Sequence, residues 1–184
     1  MAGVVHYSFA AIRDVAESFP DPVWQDIRLG GLDLIRKGRF GRFGLPPDWL
    51  AVDTDGGHLF CDPSHEPRFS YDACRVPLHL AWAGLGREPA VADAAAFWGH
   101  AAVPPAWADL ETGVEASVTA TAGQQAIALL AGPWSGVRPP PRSRRVPSVG
   151  EAGDYYSAAL ILLARLAFLE CPPPGAPGAG IPGN

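Results

Sequence analysis

Apolar residues recur along this chain at helical spacing, in stretches separated by loops rich in proline and glycine. This spacing places apolar side chains on one face of a helix. No segment shows a convincing alternation of apolar and polar residues, the pattern of a half-buried strand. The pattern therefore predicts an all-α chain of roughly six helices joined by long Pro/Gly-rich loops.

Two helices are predicted in the first part of the chain, because each has a start signal and a stop signal. Ser8 can cap a first helix that runs to about Ser18 and is ended by a nearby proline. Asp21, followed by proline, opens a second helix that ends at Gly38. Residues 38–69 then form a long irregular connection, which is unusual enough in a compact domain to suggest a binding loop.

The third predicted helix, from about Tyr71 to Leu85, is apolar nearly all round. Such a helix is expected where other helices bury it on every side. Ser70 is a favourable N-cap for it. Pro77 removes one internal hydrogen bond, so we expect a kink just past the first turn. Cys74 is expected to be a small buried hydrophobe.

Capping signals mark the remaining helices. They are predicted from Pro89 to about Ala101, from the Thr121 and Gln124 capping box to Gly132-Pro133, and from the Asp154 cap through Tyr155 to about Glu170. Residues 171–184 are rich in proline and glycine and are predicted to be a disordered tail. The domain is therefore expected to occupy residues 1–170.

Charge and cysteine content argue against several classes of function. The formal net charge is −5, and no basic cluster is large enough to indicate a nucleic-acid partner. The three cysteines and five histidines lack the spacing of metal ligands, so no metal site, cofactor or disulfide framework is predicted. No apolar run approaches the ~20 residues that cross a bilayer, and no signal peptide is visible, which leaves localisation open.

Two charged residues at the start of the third helix carry the candidate chemistry. Asp72 falls in the predicted first turn, where exposed N–H groups and the positive helix end favour an ionised carboxylate. Arg75 lies three residues further on, on the same face, and an adjacent cation favours the ionised form further. Spacing alone leaves two interpretations: a base for proton transfer, or a capping aspartate in a structural ion pair.

The segment around this pair resembles the signature of the family 8 glycoside hydrolases, the cellulase D family of bacterial endo-β-1,4-glucanases. The matching string is Ser70-Tyr71-Asp72-Ala73-x-Arg75-Val76-Pro77. Other segments agree with the family in order and spacing: Tyr7-Ser8-Phe9, Trp24 to Lys37, Leu45 to Leu50, and Gly153-Asp154-Tyr155-Tyr156. The resemblance extends over nearly the whole chain.

The resemblance implies a six-hairpin α/α toroid of which this chain is the carboxy-terminal half. An enzyme of this family needs about twice as many helices as the sequence predicts, so the amino-terminal half is expected upstream. In a half toroid the two end helices lack a neighbour and expose apolar faces. We therefore expect association, aggregation or dependence on an amino-terminal partner.

The resemblance also implies roles for the site residues. Asp72 matches the general base and Arg75 the residue that orients it, and Tyr71 could contact the attacking water or the sugar. Candidate aromatic contacts to a β-1,4-glucan or cello-oligosaccharide are Tyr155, Tyr156, Tyr7 and Trp49. Asp48, in contrast, is expected to cap a turn or helix.

The general acid of the family is a glutamate of the missing half, and no glutamate here stands in a similar context. Loss of a general acid typically costs about 10²–10⁴ in rate, so we expect the chain alone to be inactive. Two other interpretations stay open: a non-catalytic carbohydrate-binding remnant and a helical interaction domain. Exported enzymes are usual in the family, although this sequence shows no leader.

Overall fold

The computed structural model describes residues 2–3, 7–53, 55–136 and 145–174, with side chains from residue 7 onward. Six α-helices lie in these ranges: α1 (Phe9–Ser18), α2 (Pro22–Lys37), α3 (Arg75–Trp82), α4 (Pro89–Gly99), α5 (Ala122–Ser135) and α6 (Tyr155–Glu170). Their number and order agree with the sequence prediction. Most of the tail that was expected to be disordered, residues 175–184, lies outside the described ranges.

Five short strands, which the sequence pattern did not predict, lie between the helices. They are β1 (Ala2–Gly3), β2 (Leu50–Val52), β3 (Leu59–Cys61), β4 (Arg68–Phe69) and β5 (Ala108–Asp109). The first three form one antiparallel sheet, and β4 pairs with β5 in another. Alternation becomes recognisable only over about four to eight residues, so strands this short leave no signal. The prediction that residues 38–69 are wholly irregular is therefore wrong.

Side-chain caps start the helices largely where the sequence predicts. Asp21 and Asp154 each accept a hydrogen bond from a backbone N–H of the following turn, at 2.8 Å and 2.6 Å. Thr121 and Gln124 form the predicted reciprocal capping box. Ser8 occupies the N-cap position of α1 but makes no capping hydrogen bond with its side chain.

Helix α5 continues past Gly132-Pro133, where it was predicted to end. Proline clashes with the Cβ of the residue before it, and Gly132 has none. The hydroxyl of Ser135 donates to the Gly132 carbonyl at 3.0 Å, which satisfies one exposed acceptor of the last turn. Gly136, in the left-handed conformation at φ +71°, then ends the helix.

Helix α3 is buried by neighbours on several sides, as its apolar sequence predicts. Leu78, Leu80 and Ala81 are fully buried, and α3 packs against α1, α4, α5 and α6. The main core cluster adds large side chains of α4, including Phe97 and Trp98. Packing in the core therefore fixes the position of α3, independently of the contacts at its first residues.

The start of α3 differs from the prediction. The helix begins at Arg75 rather than Tyr71, because residues 70–74 form hydrogen-bonded turns in which Ser70 accepts from the N–H of Cys74 at 3.2 Å. Ser70 is consequently not the N-cap. Pro77 lies in the first turn of the shorter helix, where N–H groups have no partner within the helix, so the expected loss of a hydrogen bond does not occur.

The turn at residues 70–74, called here the Asp72 turn, is held by the carboxylate of Asp48. One oxygen of Asp48 accepts from the backbone N–H groups of Ser70, Asp72 and Ala73, at 3.0, 3.1 and 2.7 Å. The other oxygen accepts from the Ser70 hydroxyl at 2.5 Å. The prediction that Asp48 is a cap is confirmed. Burial raises the pKa of the Asp48 carboxyl, and the hydrogen bonds from Ser70 and Ala73 oppose that rise.

Both ends of the helical arrangement expose large apolar side chains. On α1 and α2 and the turn between them these are Val15, Phe19, Val23, Ile27 and Leu29, and on α6 they are Leu162, Leu166 and Leu169. Phe19 and Leu169 are more than two-thirds exposed, at 72% and 71%. Contiguous apolar surface on a soluble domain usually marks an interface. None of the helices in the described ranges has the length and apolar character needed to cross a membrane.

Replacement of Asp48 by alanine should destabilise the fold more than the loss of an exposed cap. In Asp48→Ala, three backbone N–H groups and one hydroxyl lose a buried acceptor, so the free energy of unfolding should fall by about 2–4 kcal/mol. Chemical denaturation measures the change.

Asp109→Ala is the matched control, because Asp109 also accepts two backbone N–H groups and a hydroxyl but does so at the surface. Water can replace the lost acceptor there, and a cost of about 1 kcal/mol is expected. Equal losses in the two variants would contradict the importance given to Asp48.

The apolar faces should make the chain associate as its concentration rises. The double substitution Leu166→Gln and Leu169→Gln should shift the association to higher concentration, because it removes apolar surface from the exposed side of α6. Sedimentation velocity over a concentration series measures the shift. Val103→Gln, at an exposed loop position, is the control. A wild-type chain that is monomeric at every concentration would count against the expectation.

Candidate active site

The Asp72 turn brings together the two charged residues that the sequence singled out. Arg75, the first residue of α3, forms an ion pair with the carboxylate of Asp72 through its terminal nitrogen. Its Nε lies 3.4 Å from the backbone carbonyl of Asp72. The predicted pairing is thus present, but Asp72 precedes the helix instead of lying in its first turn. The Asp72 side chain is 40% exposed, so its carboxylate is accessible to water or a ligand.

Tyr156, from the first turn of α6, braces the same turn from the other side. Its hydroxyl donates a hydrogen bond to the backbone carbonyl of Tyr71. Burial raises the pKa of the Tyr156 phenol, which keeps the donor protonated. The guanidinium carbon of Arg75 lies 5.9 Å from the centre of the Tyr156 ring. Tyr156 therefore fixes the backbone beside Asp72 as well as presenting an aromatic ring there.

Cys74 lies beneath this contact and is fully buried, as predicted. Its sulfur is 3.8 Å from the hydroxyl of Tyr156 and 3.1 Å from the backbone carbonyl of Tyr71. Burial raises the pKa of the thiol to about 12. The thiolate is the reactive form of cysteine, so Cys74 serves packing here and not chemistry.

Two of the predicted sugar-binding aromatics are open to solvent at this site. Tyr71 is 45% exposed, and its ring meets that of Tyr156 edge to face at 6.4 Å. Tyr155, next to Tyr156 at the start of α6, is 88% exposed. An exposed tyrosine offers an apolar ring face together with a polar hydroxyl, the combination that a sugar ring requires.

Tyr7, another predicted substrate contact, is used in packing between the first two helices. Its ring stacks on Phe9 with 5.7 Å between centroids and lies against Gly31 of α2, where a Cβ would come within 2.8 Å of it. Gly31 therefore permits close approach of the ring. Any contact of Tyr7 with substrate remains a prediction.

A groove opens beside Tyr71 and contains the last of the predicted aromatic contacts, Trp49. We call it the indole groove; it has a volume of about 300 Å³ and is lined by Asp48, Trp49, His65, Glu66, Arg68, Ser70, Tyr71 and Trp107. Trp49 stacks on His65 at 4.1 Å with nearly parallel rings. The Arg68 guanidinium lies 4.0 Å from the centre of the Trp107 ring. Two half-buried indoles thus line one groove next to the Asp72 turn.

Sequence reasoning missed His65, Arg68 and Trp107. His65 was given no role because the histidines lack metal-ligand spacing, and no local pattern in the sequence sets Trp107 apart. Arg68 and Trp107 are brought together by the pairing of β4 with β5. This pairing sets Arg68 opposite Asp109 and so beside Trp107. Strands of two residues cannot be paired from sequence alone. Within the described ranges, no three His, Cys, Asp or Glu side chains are grouped as metal ligands.

Comparison with known proteins relates nearly the whole chain to one group of enzymes. The model of the family described as glycosyl hydrolases family 8 matches residues 5–169. A curated relative, a probable endoglucanase of Novacetimonas hansenii, is 37% identical over 172 residues, which make up 91% of this chain and 48% of that protein.

Solved structures agree with this. An endo-beta-1,4-glucanase from Acetobacter xylinum is 36% identical, with a TM-score of 0.82 over 92% of this chain and 52% of that one. A family 8 endoglucanase from Klebsiella pneumoniae is 28% identical, with a TM-score of 0.80 over 92% and 53%. The chain thus spans about half the length of the relatives it matches. The predicted fold class, all-α and about half of an α/α toroid, is confirmed.

The family match covers α1 to α5, α6 except for its last residue, and the Asp72 turn. On this evidence the chain belongs to glycosyl hydrolases family 8.

Proposed function

We propose that this chain is the half of an inverting endo-β-1,4-glucanase that carries the general base, Asp72. The observation that supports the proposal most is the accessible Asp72 carboxylate, ion-paired to Arg75 in a turn that Asp48 and Tyr156 fix. This carboxylate occurs in a chain that aligns with about half the length of known endoglucanases. The substrate class that follows is a β-1,4-glucan.

Inversion requires two carboxyl groups on opposite sides of the scissile bond, about 6.5–9.5 Å apart. In the proposed step a water oxygen attacks the anomeric carbon while Asp72 takes a proton from that water. A carboxylic acid on the other side gives its proton to the departing glycosidic oxygen. Arg75 orients the Asp72 carboxylate through their ion pair, and Tyr71 contacts the water or the sugar at the open side of the turn.

The glutamates of this chain are poorly suited to be the acid. Five are bound to donors: Glu66 to Arg68, Glu88 to Arg36, Glu115 to Arg42, Glu151 to Arg145, and Glu170 to the indole of Trp82. A general acid must keep its proton until transfer, whereas a cationic partner favours the ionised form. Hydrogen bonds from Arg145, for example, lower the pKa of Glu151 to about 2.

The two remaining glutamates, Glu17 and Glu111, are exposed at the surface, whereas the acid of a glycosidase is typically held in a partly buried pocket. We therefore infer that the acid comes from a complementary half, either upstream on the same polypeptide or on a separate one. The exposed apolar faces of α1 with α2 and of α6 are where that half would pack and close the toroid.

Complementation tests this proposal. The chain is co-expressed with the segment of the Novacetimonas hansenii relative that it does not match, and hydrolysis of carboxymethylcellulose is measured by reducing ends. We expect activity only from the pair. Asp72→Asn in the pair should lower the rate by about 10²–10⁴, because the water loses its base.

Asp55→Asn, an exposed change in the turn between β2 and β3, is the control and should leave the rate unchanged. Hydrolysis that survives Asp72→Asn would refute the role of Asp72. A folded pair that binds cello-oligosaccharides without hydrolysing them would support the carbohydrate-binding remnant instead.

Tyr156→Phe should lower kcat of the complemented enzyme more than it changes KM. The variant keeps the ring but removes the hydroxyl that holds the Tyr71 carbonyl, so the base is positioned less accurately, at a cost of about tenfold in kcat. Steady-state kinetics on a soluble cello-oligosaccharide separates the two constants. Ser135→Ala is the control, because it also removes a hydroxyl that donates to a backbone carbonyl, but at the end of α5 and outside the Asp72 turn. A fall in thermal stability that accounts for the whole loss would assign Tyr156 to the fold alone.

A further inference from the structure

The indole groove is assembled from chain segments that are distant in sequence and contribute complementary chemistry. Trp49 and His65 come from the two ends of the β2–β3 hairpin, and Trp107 precedes β5. Arg68 and Glu66 add a charged edge, with Arg68 Nη1 2.7 Å from a carboxylate oxygen of Glu66. The groove therefore offers flat apolar surfaces beside hydrogen-bond donors and acceptors.

The Trp49 side of the groove is fixed by a short chain of contacts through Asp62. The N–H of Asp62 donates to the backbone carbonyl of Trp49 at 3.0 Å. The Asp62 carboxylate lies 3.2 Å from His65 Nδ1 and accepts from the N–H of Ser64 at 2.9 Å. The Ser64 hydrogen bond is the main cause that lowers the pKa of Asp62, so the carboxylate that anchors the imidazole stays ionised. Trp49 and His65 are thus held in place before any ligand arrives.

The Trp107 side is fixed by the β4–β5 pairing. Arg68 and Asp109 are register partners in this pair, which places the guanidinium over the indole two residues before Asp109. The same guanidinium binds Glu66 through Nη1, so the stacked cation also holds a carboxylate beside the indole. The groove is thus preorganised on both sides, which lowers the entropy cost of binding.

The chemistry of the groove selects among ligand classes. A pyranose ring has apolar C–H faces, which stack on aromatic rings, and a rim of hydroxyls, which bond to carboxylates and guanidinium groups. A nucleic acid is disfavoured, because Arg68 is accompanied by the carboxyl groups of Asp48 and Glu66 and the chain has a net charge of −5. The volume of about 300 Å³ lies at the small end for ligand sites, which fits a short stretch of a sugar chain.

We propose that the indole groove is a glucan-binding subsite adjoining the Asp72 turn, in which Trp49 and Trp107 stack on glucosyl units and the Arg68–Glu66 pair bonds their hydroxyls. The position of Tyr71 supports this, because it lines the groove and its neighbour in the chain is Asp72. The inference rests on the proposed function for its substrate class. It concerns binding only, so it can be tested without the complementary half.

Isothermal titration calorimetry of the full chain with cellohexaose tests the subsite. Trp107→Ala and Trp49→Ala should each weaken binding by about tenfold, the size expected when an aromatic anchor is truncated. Trp107→Phe should recover most of the affinity, because a phenyl ring can still stack. Circular dichroism and thermal unfolding establish that each variant is folded.

Trp24→Ala is the matched control. Trp24 is also a half-buried indole, but it lies on α2 and lines a different cavity together with α1 residues. Its replacement should leave cellohexaose affinity unchanged. If Trp107→Ala and Trp49→Ala bind as tightly as the wild type, the subsite is refuted.

The two proposals fail in different ways. If the folded wild-type chain binds no cellohexaose, the subsite is refuted, because all residues that line the groove are present in this chain. The proposed function is then judged separately by hydrolysis in the complemented pair. If binding depends on the groove but the pair shows no hydrolysis, the subsite stands and the proposed reaction fails.

Discussion

Four hydrogen-bond donors converge on the buried carboxylate of Asp48, and the geometry of the site depends on this contact. Three of them are backbone N–H groups of the Asp72 turn, which lies more than 20 residues further along the chain. A charge placed in a protein interior is costly unless it is hydrogen-bonded, so the turn and the carboxylate must form together. The conformation that presents Asp72 is therefore determined by a residue outside the proposed acid and base pair.

The remaining constraints on the turn come from helices that the core fixes. Helix α3 is buried between four other helices, so Arg75, its first residue, is attached to a rigid helix. Helix α6 supplies Tyr156, whose hydroxyl holds the carbonyl of Tyr71. Sites on helices are positioned more accurately than sites on loops alone. Here a loop residue, Asp72, gains that accuracy from the elements on either side of it.

Helix order, caps and burial could be predicted from the sequence because they depend on local signals. Asp21, Asp154 and the Thr121–Gln124 capping box all act within one turn of chain. The Asp72–Arg75 pair was likewise foreseen from its spacing. The indole groove could not be foreseen, since Trp49 and Trp107 are placed in one groove by strands that are too short to leave a sequence pattern. The start of α3 was misplaced because Ser70 bonds to Asp48, a partner that no local rule identifies.

The exposed apolar faces of α1 with α2 and of α6 have a thermodynamic consequence. Apolar side chains that stay in water contribute nothing to folding, so the chain by itself forgoes part of the stabilisation that its composition could supply. Whatever covers these faces binds the folded state and not the unfolded one. The free energy of unfolding then rises with the logarithm of the partner's free concentration. With such a partner present, the folded population of this chain and its lifetime against proteolysis depend on the partner's concentration by mass action.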